Sequence, residues 1–109
     1  MKVDTRFSAG AAIVSVSGEV DMFTSPDLRH ELQRLTEDAV PRIVVDLKEV
    51  NFMDSSGIAT LVQALKEARP FGGKVVLAAP GETVMRVLRL ANLTSLFSVH
   101  ETVEGAIEG

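Results

Sequence analysis

The sequence contains no cysteine, tryptophan or tyrosine, and the lack of cysteine excludes several classes of function. The chain has no disulfide framework, no thiol nucleophile and no cysteine-ligated zinc or iron–sulfur centre. Its longest apolar stretches, such as residues 75–79, are far shorter than the roughly 18 residues of a membrane span. Asp4 and Arg6 interrupt the start of the chain, where a secretory signal needs an unbroken apolar segment. We therefore expect a cytoplasmic protein that does not associate with membranes.

Positive charge is also scarce. The 109 residues include 11 lysines and arginines against 15 acidic residues, which gives a net charge of −4 near neutral pH. An acidic chain has no general attraction for phosphate backbones, so we expect no direct binding of nucleic acid. Hydrophobic residues make up 46% of the chain and charged residues 24%, as in ordinary globular proteins. The length suits one compact domain that spans residues 1–109.

The order of the apolar patterns predicts an α/β fold. Strands are predicted at 3–7, 12–17, 43–47, 74–79 and 97–99, with a hairpin turn at Ala9-Gly10 between the first two. The strand at 12–17 does not alternate cleanly, which indicates burial on more than one side, and residues 18–21 are expected to leave the sheet as a loop. Because helices alternate with the later strands, the sheet should be small and mixed, with about four or five strands.

Four helices are predicted between and after these strands. The first begins at residues 24–27, where a hydroxyl side chain can cap the free N–H groups and Pro26 suits the first turn. The second follows Asp54-Ser55-Ser56-Gly57 and ends before Gly72-Gly73, which is interpreted as a helix C-cap and turn. The third covers about residues 84–91, and the last begins near Thr102.

No assembled catalytic set is visible. His30 and His100 lie on different elements and lack the spacing of a helical metal site. Gly72-Gly73 is not followed by the Gly-Lys-Ser/Thr of a phosphate-binding loop. The serines near Asp54 lack the Gly-x-Ser-x-Gly elbow of a hydrolase. We therefore expect a protein that is not an enzyme, with no catalytic residue, no metal site and no cofactor of its own.

The serine pair Ser55-Ser56 is the chemically interesting feature, and it has two interpretations. Asp and Ser are favoured helix caps, so the pair can be purely structural. Alternatively, one hydroxyl accepts a phosphate, which brings roughly −1.5 to −2 charges and is tolerated at a helix N-terminus. Asp54, and Asp21 from a neighbouring loop, would add to the negative charge and expel a docked partner without unfolding the domain. Capping physics does not choose between the two hydroxyls.

Residues 44–47, 50–57 and 72–73 together resemble the bacterial anti-sigma factor antagonists, which are built on the STAS domain. The likeness extends upstream through residues 18–21 and 24–26, and downstream through 93–97 and 102–107, so it covers nearly the whole chain. Its most specific part is Phe52-Met53-Asp54-Ser55-Ser56-Gly57. The resemblance implies a STAS-type α/β fold with the helices packed largely on one side of the sheet.

The resemblance also implies a partner switch. In this family the unphosphorylated antagonist binds an anti-sigma factor that is also a serine kinase, and the sigma factor is thereby released. Phosphorylation of the antagonist releases the kinase, which holds the ATP and Mg²⁺ itself, and a PPM-type phosphatase reverses the modification. Matched to this sequence, the phosphorylated residue is Ser55. The residues that frame it and bind the partner are Asp21, Thr24, Asp54, Ser56 and Gly57.

Two other interpretations remain open at this point. The chain could be a STAS scaffold or a transporter-associated subunit in which Ser55 only caps a helix, or a weak nucleotide-binding or nucleotide-hydrolysing protein. The apolar pair Met22-Phe23 has two interpretations of its own: an exposed part of a partner surface, or a packed part of the interior.

Overall fold

The computed structural model describes all residues from Met1 to Gly109. The strands are β1 (Lys2–Ser8), β2 (Ala11–Val20), β3 (Arg42–Met53), β4 (Lys74–Ala78) and β5 (Val99–His100). The helices are α1 (Ser25–Glu37), α2 (Ser55–Ala68), α3 (Glu82–Leu90) and α4 (Val103–Glu108), and a single 3₁₀ turn (Arg69–Phe71) follows α2.

The five strands form one mixed sheet in the order β1-β2-β3-β4-β5. β1 and β2 are an antiparallel hairpin, and the other three pairings are parallel. The hairpin turn is Ala9-Gly10, and both residues have the positive φ that a tight two-residue turn between twisted strands requires. The α/β class, the five strands and the mixed sheet are as the sequence predicts.

The two faces of the sheet carry unequal layers. α1, α2 and α3 cover one face, where 21 buried residues form the main core around side chains such as Val14, Leu32 and Leu61. Only α4 covers the other face, where Ala106 packs in a cluster of six buried residues with Ile13 and Val44. Residues 11–14 of β2 are all buried because β2 is covered on both faces, which explains why their pattern does not alternate.

Three sequence-based boundaries are wrong. Residues 18–20 belong to β2 and not to a loop, because β3 continues to Met53 and supplies Val20 with a parallel partner. The polar residues Lys48 and Glu49 hide this extension of β3, and register shifts near Gly18 accommodate it. The last strand is Val99–His100, and Phe97 lies buried in the main core instead.

Gly72 ends the 3₁₀ turn that follows α2. It adopts the left-handed conformation, with φ +73°, and its N–H donates to the carbonyl of Arg69 at 3.0 Å. This matches the predicted capping role of Gly72-Gly73, displaced by one short turn from the end of the α-helix.

Candidate functional site

β2 and β3 end side by side, and this places two loops and two helix starts at one edge of the sheet. Val20 pairs with Met53 as the last register position, and the N–H of Asp54 donates to the carbonyl of Val20 at 3.1 Å. Residues 21–24 then lead into α1, and Asp54 leads into α2. In open α/β sheets, ligands bind outside the carboxyl ends of the parallel strands. All six predicted site residues lie in this region.

Asp54 caps α2. Its backbone is extended (φ −105°, ψ −169°), and its Oδ1 accepts the N–H groups of Ser56 at 2.8 Å and Gly57 at 3.4 Å. These are two of the four N–H groups that a helix start leaves without partners. Because the carboxylate performs the capping, neither serine hydroxyl is required for it.

The two serines have different surroundings. Ser55 is the first residue of α2 and is exposed, whereas Ser56 is half-buried. Ser56 lines a groove between the first turns of α1 and α2, which also contains Ser25, Arg29 and Thr60. A bulky modification is therefore accommodated without steric conflict at Ser55 but would enter the groove at Ser56.

Asp21 organises the loop that faces α2. Its Oδ1 accepts the N–H groups of Phe23 at 2.9 Å and Thr24 at 3.0 Å. Its carbonyl accepts the N–H of Ser25 at 2.7 Å, which fixes the start of α1. Partial burial raises the pKa of Asp21. The hydrogen bonds that its carboxylate accepts from Phe23 and Thr24 lower the pKa by more, so it lies below its ordinary value. The carboxylate of Asp21 is therefore ionised at neutral pH.

Thr24 does not cap α1 with its side chain, contrary to the expectation of a hydroxyl cap there. Its backbone is already helical (φ −102°, ψ −27°), so the hydroxyl turns back into the loop. The Thr24 hydroxyl donates to the carbonyl of Glu19 at 2.8 Å and accepts the N–H of Asp21 at 2.9 Å. Thr24 therefore connects the end of β2 to the Asp21 loop by hydrogen bonds and stabilises that loop.

Gly57 is required by close packing. It is buried, and a β-carbon at this position would lie 2.6 Å from Cγ of Met53 and 2.9 Å from Cγ1 of Val20. A larger residue would force the side chains of Met53 and Val20, or α2 itself, to shift. Gly57 thus allows α2 to pack closely against the ends of β2 and β3.

Three exposed apolar side chains border the two loops. Met22 and Phe23 are 66% and 84% exposed, and Phe52, two residues before Asp54, is 44% exposed. The alternative that Met22-Phe23 packs inside the protein is therefore wrong. Exposed aromatic and methionine side chains beside polar groups are typical of protein-binding surfaces.

Sequence reasoning missed Phe52 and Arg29. Phe52 falls in the part of β3 whose sequence pattern does not indicate a strand, opposite Glu19 of β2. Arg29 is a basic group that lines the groove containing Ser56. The sequence could have indicated Arg29, because it lies four residues after Ser25 on α1 and residues four apart share a helix face.

Two further findings concern other kinds of site. No three histidine, aspartate or glutamate side chains come close enough together to hold a metal ion. None of the four helices combines the length and the apolar character that crossing a bilayer requires.

The fold and the helix-start site together define the class of protein. The profile of the STAS domain matches residues 2–106, so the chain belongs to the STAS domain family. Within that family it belongs to the bacterial anti-sigma factor antagonists, as the resemblance in the sequence implies.

Three relatives illustrate this membership. The chain is 27% identical over 108 residues to the anti-sigma-B factor antagonist of Bacillus subtilis (strain 168), covering 99% of this chain and 98% of that protein. It is 32% identical over 98 residues to the antagonist of the same name from Listeria monocytogenes, covering 88% and 83% of the two chains. A crystal structure of an anti-sigma factor antagonist from Mycobacterium paratuberculosis has a TM-score of 0.91 at 29% identity, over 98% of this chain and 91% of that one.

Proposed function

We propose that this anti-sigma factor antagonist is a phosphorylation-controlled switch with Ser55 as its phosphorylated residue. The observation that carries the proposal is the free, exposed hydroxyl of Ser55 at the first position of α2, beside a cap supplied by Asp54. In the unphosphorylated form, the surface around Ser55 binds an anti-sigma factor serine kinase, and the sigma factor is released. The kinase brings its own ATP and Mg²⁺.

The charges near Ser55 support a mechanism by which a phosphate would end the interaction. Asp54 directly precedes Ser55, and Asp21 follows the end of β2 at the same edge of the sheet and is ionised at neutral pH. A phosphate adds further negative charge to a surface that a partner must desolvate. The N–H groups and the positive end of α2 keep the modified turn folded. A PPM-type phosphatase then restores the binding form.

The groups around Ser55 act in three ways under this proposal. Thr24, Gly57 and the half-buried Ser56 fix the frame, and Asp21 and Asp54 provide the charge. The exposed side chains of Met22, Phe23 and Phe52 provide apolar contact area for the partner. The proposed unit is a single STAS domain of residues 1–109 that acts in the cytoplasm without catalysing a reaction itself.

Mass spectrometry after incubation with the anti-sigma factor kinase of the same organism and Mg–ATP tests the modified residue. We expect one added phosphate, located on Ser55, which Ser55→Ala abolishes and the matched control Ser56→Ala retains. A phosphate on Ser56 would move the site. No phosphate in the presence of a kinase shown to be active would reject the switch.

Binding measurements test the consequence of the modification. We expect Ser55→Ala to bind the kinase permanently, and phosphorylated protein to bind at least about 100-fold more weakly, since buried like charges cost several kcal/mol at an interface. Ser55→Glu should also bind weakly, although a carboxylate carries less charge than phosphate. Equal affinity of the kinase for the wild-type, Ser55→Ala and phosphorylated forms would contradict the proposal.

A further inference from the structure

The outer edge of β1 has no strand beside it. β1 is the first strand in the sheet order, so one side pairs with β2 and the other presents free backbone N–H and carbonyl groups. Such an edge is a template for another strand. Phe7 of β1 is 63% exposed. The charged side chains of Asp4 and Arg6 are exposed as well.

We propose that a second copy of this chain pairs with the edge, β1 against β1 and antiparallel, about a two-fold axis at Thr5. In this register Asp4 of each copy faces Arg6 of the other, and Val3 faces Phe7. Each pairing occurs twice, because a two-fold interface repeats every contact. Opposite charges and aromatic–aliphatic pairs directly across two strands stabilise the pairing. The result is a continuous ten-stranded sheet.

The order of charges along β1 decides between a protected edge and a pairing edge. Charged side chains on an edge strand, lysine above all, commonly protect it from association. Here Asp4 and Arg6 are symmetrically placed about Thr5, so a copy in the antiparallel register meets the opposite sign at both positions. Asp4 lies 3.8 Å from Lys2 within the chain, and this exposed ion pair leaves the carboxylate accessible to a second cation.

α1 carries a second self-complementary pattern beside the same edge. Asp27, His30, Glu31 and Arg34 line the groove next to β1. An antiparallel copy of α1 places Asp27 against Arg34 and His30 against Glu31, with the symmetry point between His30 and Glu31. A two-fold axis perpendicular to the sheet at β1 arranges the two α1 helices in this way.

Within one chain, the residue at the centre of the β1 pattern contacts a residue next to the centre of the α1 pattern. The hydroxyl of Thr5, the centre of the β1 pattern, donates a hydrogen bond to the carboxylate of Glu31, next to the centre of the α1 pattern. One axis therefore satisfies the strand and the helix together. None of the residues that frame Ser55 lies in β1 or lines this groove. The dimer therefore leaves both copies of the Ser55 surface free.

Sedimentation velocity of the full chain, from roughly 1 to 500 µM, tests the dimer. We expect a monomer–dimer equilibrium that shifts toward monomer at high salt, because exposed ion pairs are screened. Asp4→Arg places two positive side chains opposite each other and Arg6→Asp two negative ones. Each variant should raise the dimer dissociation constant by about tenfold or more. Arg86→Asp, at an exposed position on α3, is the matched control and should leave it unchanged.

An equimolar mixture of the two variants makes the test specific. In the mixed dimer the positive residues of the Asp4→Arg chain face the negative residues of the Arg6→Asp chain, so the mixture should recover the affinity that each variant alone has lost. This recovery also shows that both variants fold. A wild type that remains monomeric at every concentration would overturn the proposal. So would a dimer that neither variant weakens, or a mixture that stays monomeric.

Discussion

At the scale of single residues, the carboxylate of Asp54 replaces the two serines as the cap of α2. Asp54→Ala leaves the N–H groups of Ser56 and Gly57 without an acceptor. We expect it to lower the free energy of unfolding by about 1 kcal/mol, within the range measured for N-caps. Asp54→Ser, which keeps an acceptor, should lose much less. Urea unfolding measures both, and equal losses for the two variants would show that the hydrogen bonds are not what Asp54 contributes.

Gly57 provides a second prediction at this scale. Gly57→Ala inserts a methyl group between α2 and the buried side chains of Met53 and Val20, at separations of 2.6 and 2.9 Å. Overpacking of this kind costs about 1–3 kcal/mol, more than alanine returns in helix propensity. Ser56→Ala, one residue earlier, is the control and should change stability little. Thermal unfolding compares the two, and a Gly57→Ala protein as stable as the wild type would show that the contact relaxes without cost and that Gly57 is not required for packing.

At the scale of elements, the sequence predicts the helices and strands that have a regular apolar pattern and misses the ends that depend on neighbours. The C-terminal half of β3 contains the exposed residues Lys48 and Glu49 between the buried residues Leu47 and Val50, so its apolar pattern is irregular. Its strand conformation comes from pairing with β2, which no local pattern reports. The loop at Thr24 is a similar case, since its hydroxyl bonds to Glu19 across the loop and not to the helix ahead.

The contact between β1 and α1 provides a prediction for the pH dependence of stability. Arg34 bonds to the carboxylate of Glu31 at 2.8 Å and lowers its pKa; burial acts in the opposite direction, and the hydroxyl of Thr5 lowers the pKa further. A carboxyl whose pKa is lower in the folded state stabilises the fold above its unfolded pKa and loses that contribution as the pH falls through the folded value.

Glu31→Gln should therefore be less stable than the wild type at neutral pH, and the two should converge as the pH falls below the unfolded value of 4.5. Denaturant unfolding at a series of pH values, at a protein concentration low enough to avoid association, measures the difference. Glu37→Gln changes an exposed glutamate of the same helix and is the control. A difference between Glu31→Gln and the wild type that stays constant from pH 7 to about pH 3 would exclude this role for the ion pair.

At the scale of the whole molecule, the sequence pattern predicts the fold and the helix start at Ser55, whereas the side chains around Ser55 follow only from the family resemblance and from the structure. The run from Asp54 to Gly57 identifies a helix start, whereas the approach of Asp21 and the exposure of Met22-Phe23 depend on β2 and β3 ending at the same level. The register in which β2 pairs with β3 determines where the two strands end, and this register depends on contacts between residues far apart in the sequence. The surface that a partner would bind is consequently visible only in three dimensions.

Two similarly exposed apolar residues, one on that surface and one away from it, allow a matched test of where the partner binds. Phe23 is 84% exposed beside Asp21, and Leu90 is 82% exposed at the end of α3, on a helix that contributes nothing to the groove at Ser56. Their similar exposure makes them a matched pair, because loss of either side chain should leave folding stability nearly unchanged.

Aromatic anchors at the centre of an interface carry much of its binding energy. We therefore expect Phe23→Ala to weaken binding of the kinase by about tenfold or more and Leu90→Ala to leave it unchanged, as measured by titration calorimetry with unphosphorylated protein. If Leu90→Ala produced the larger loss, the partner would bind at α3, and a phosphate on Ser55 would have to act on it from a distance.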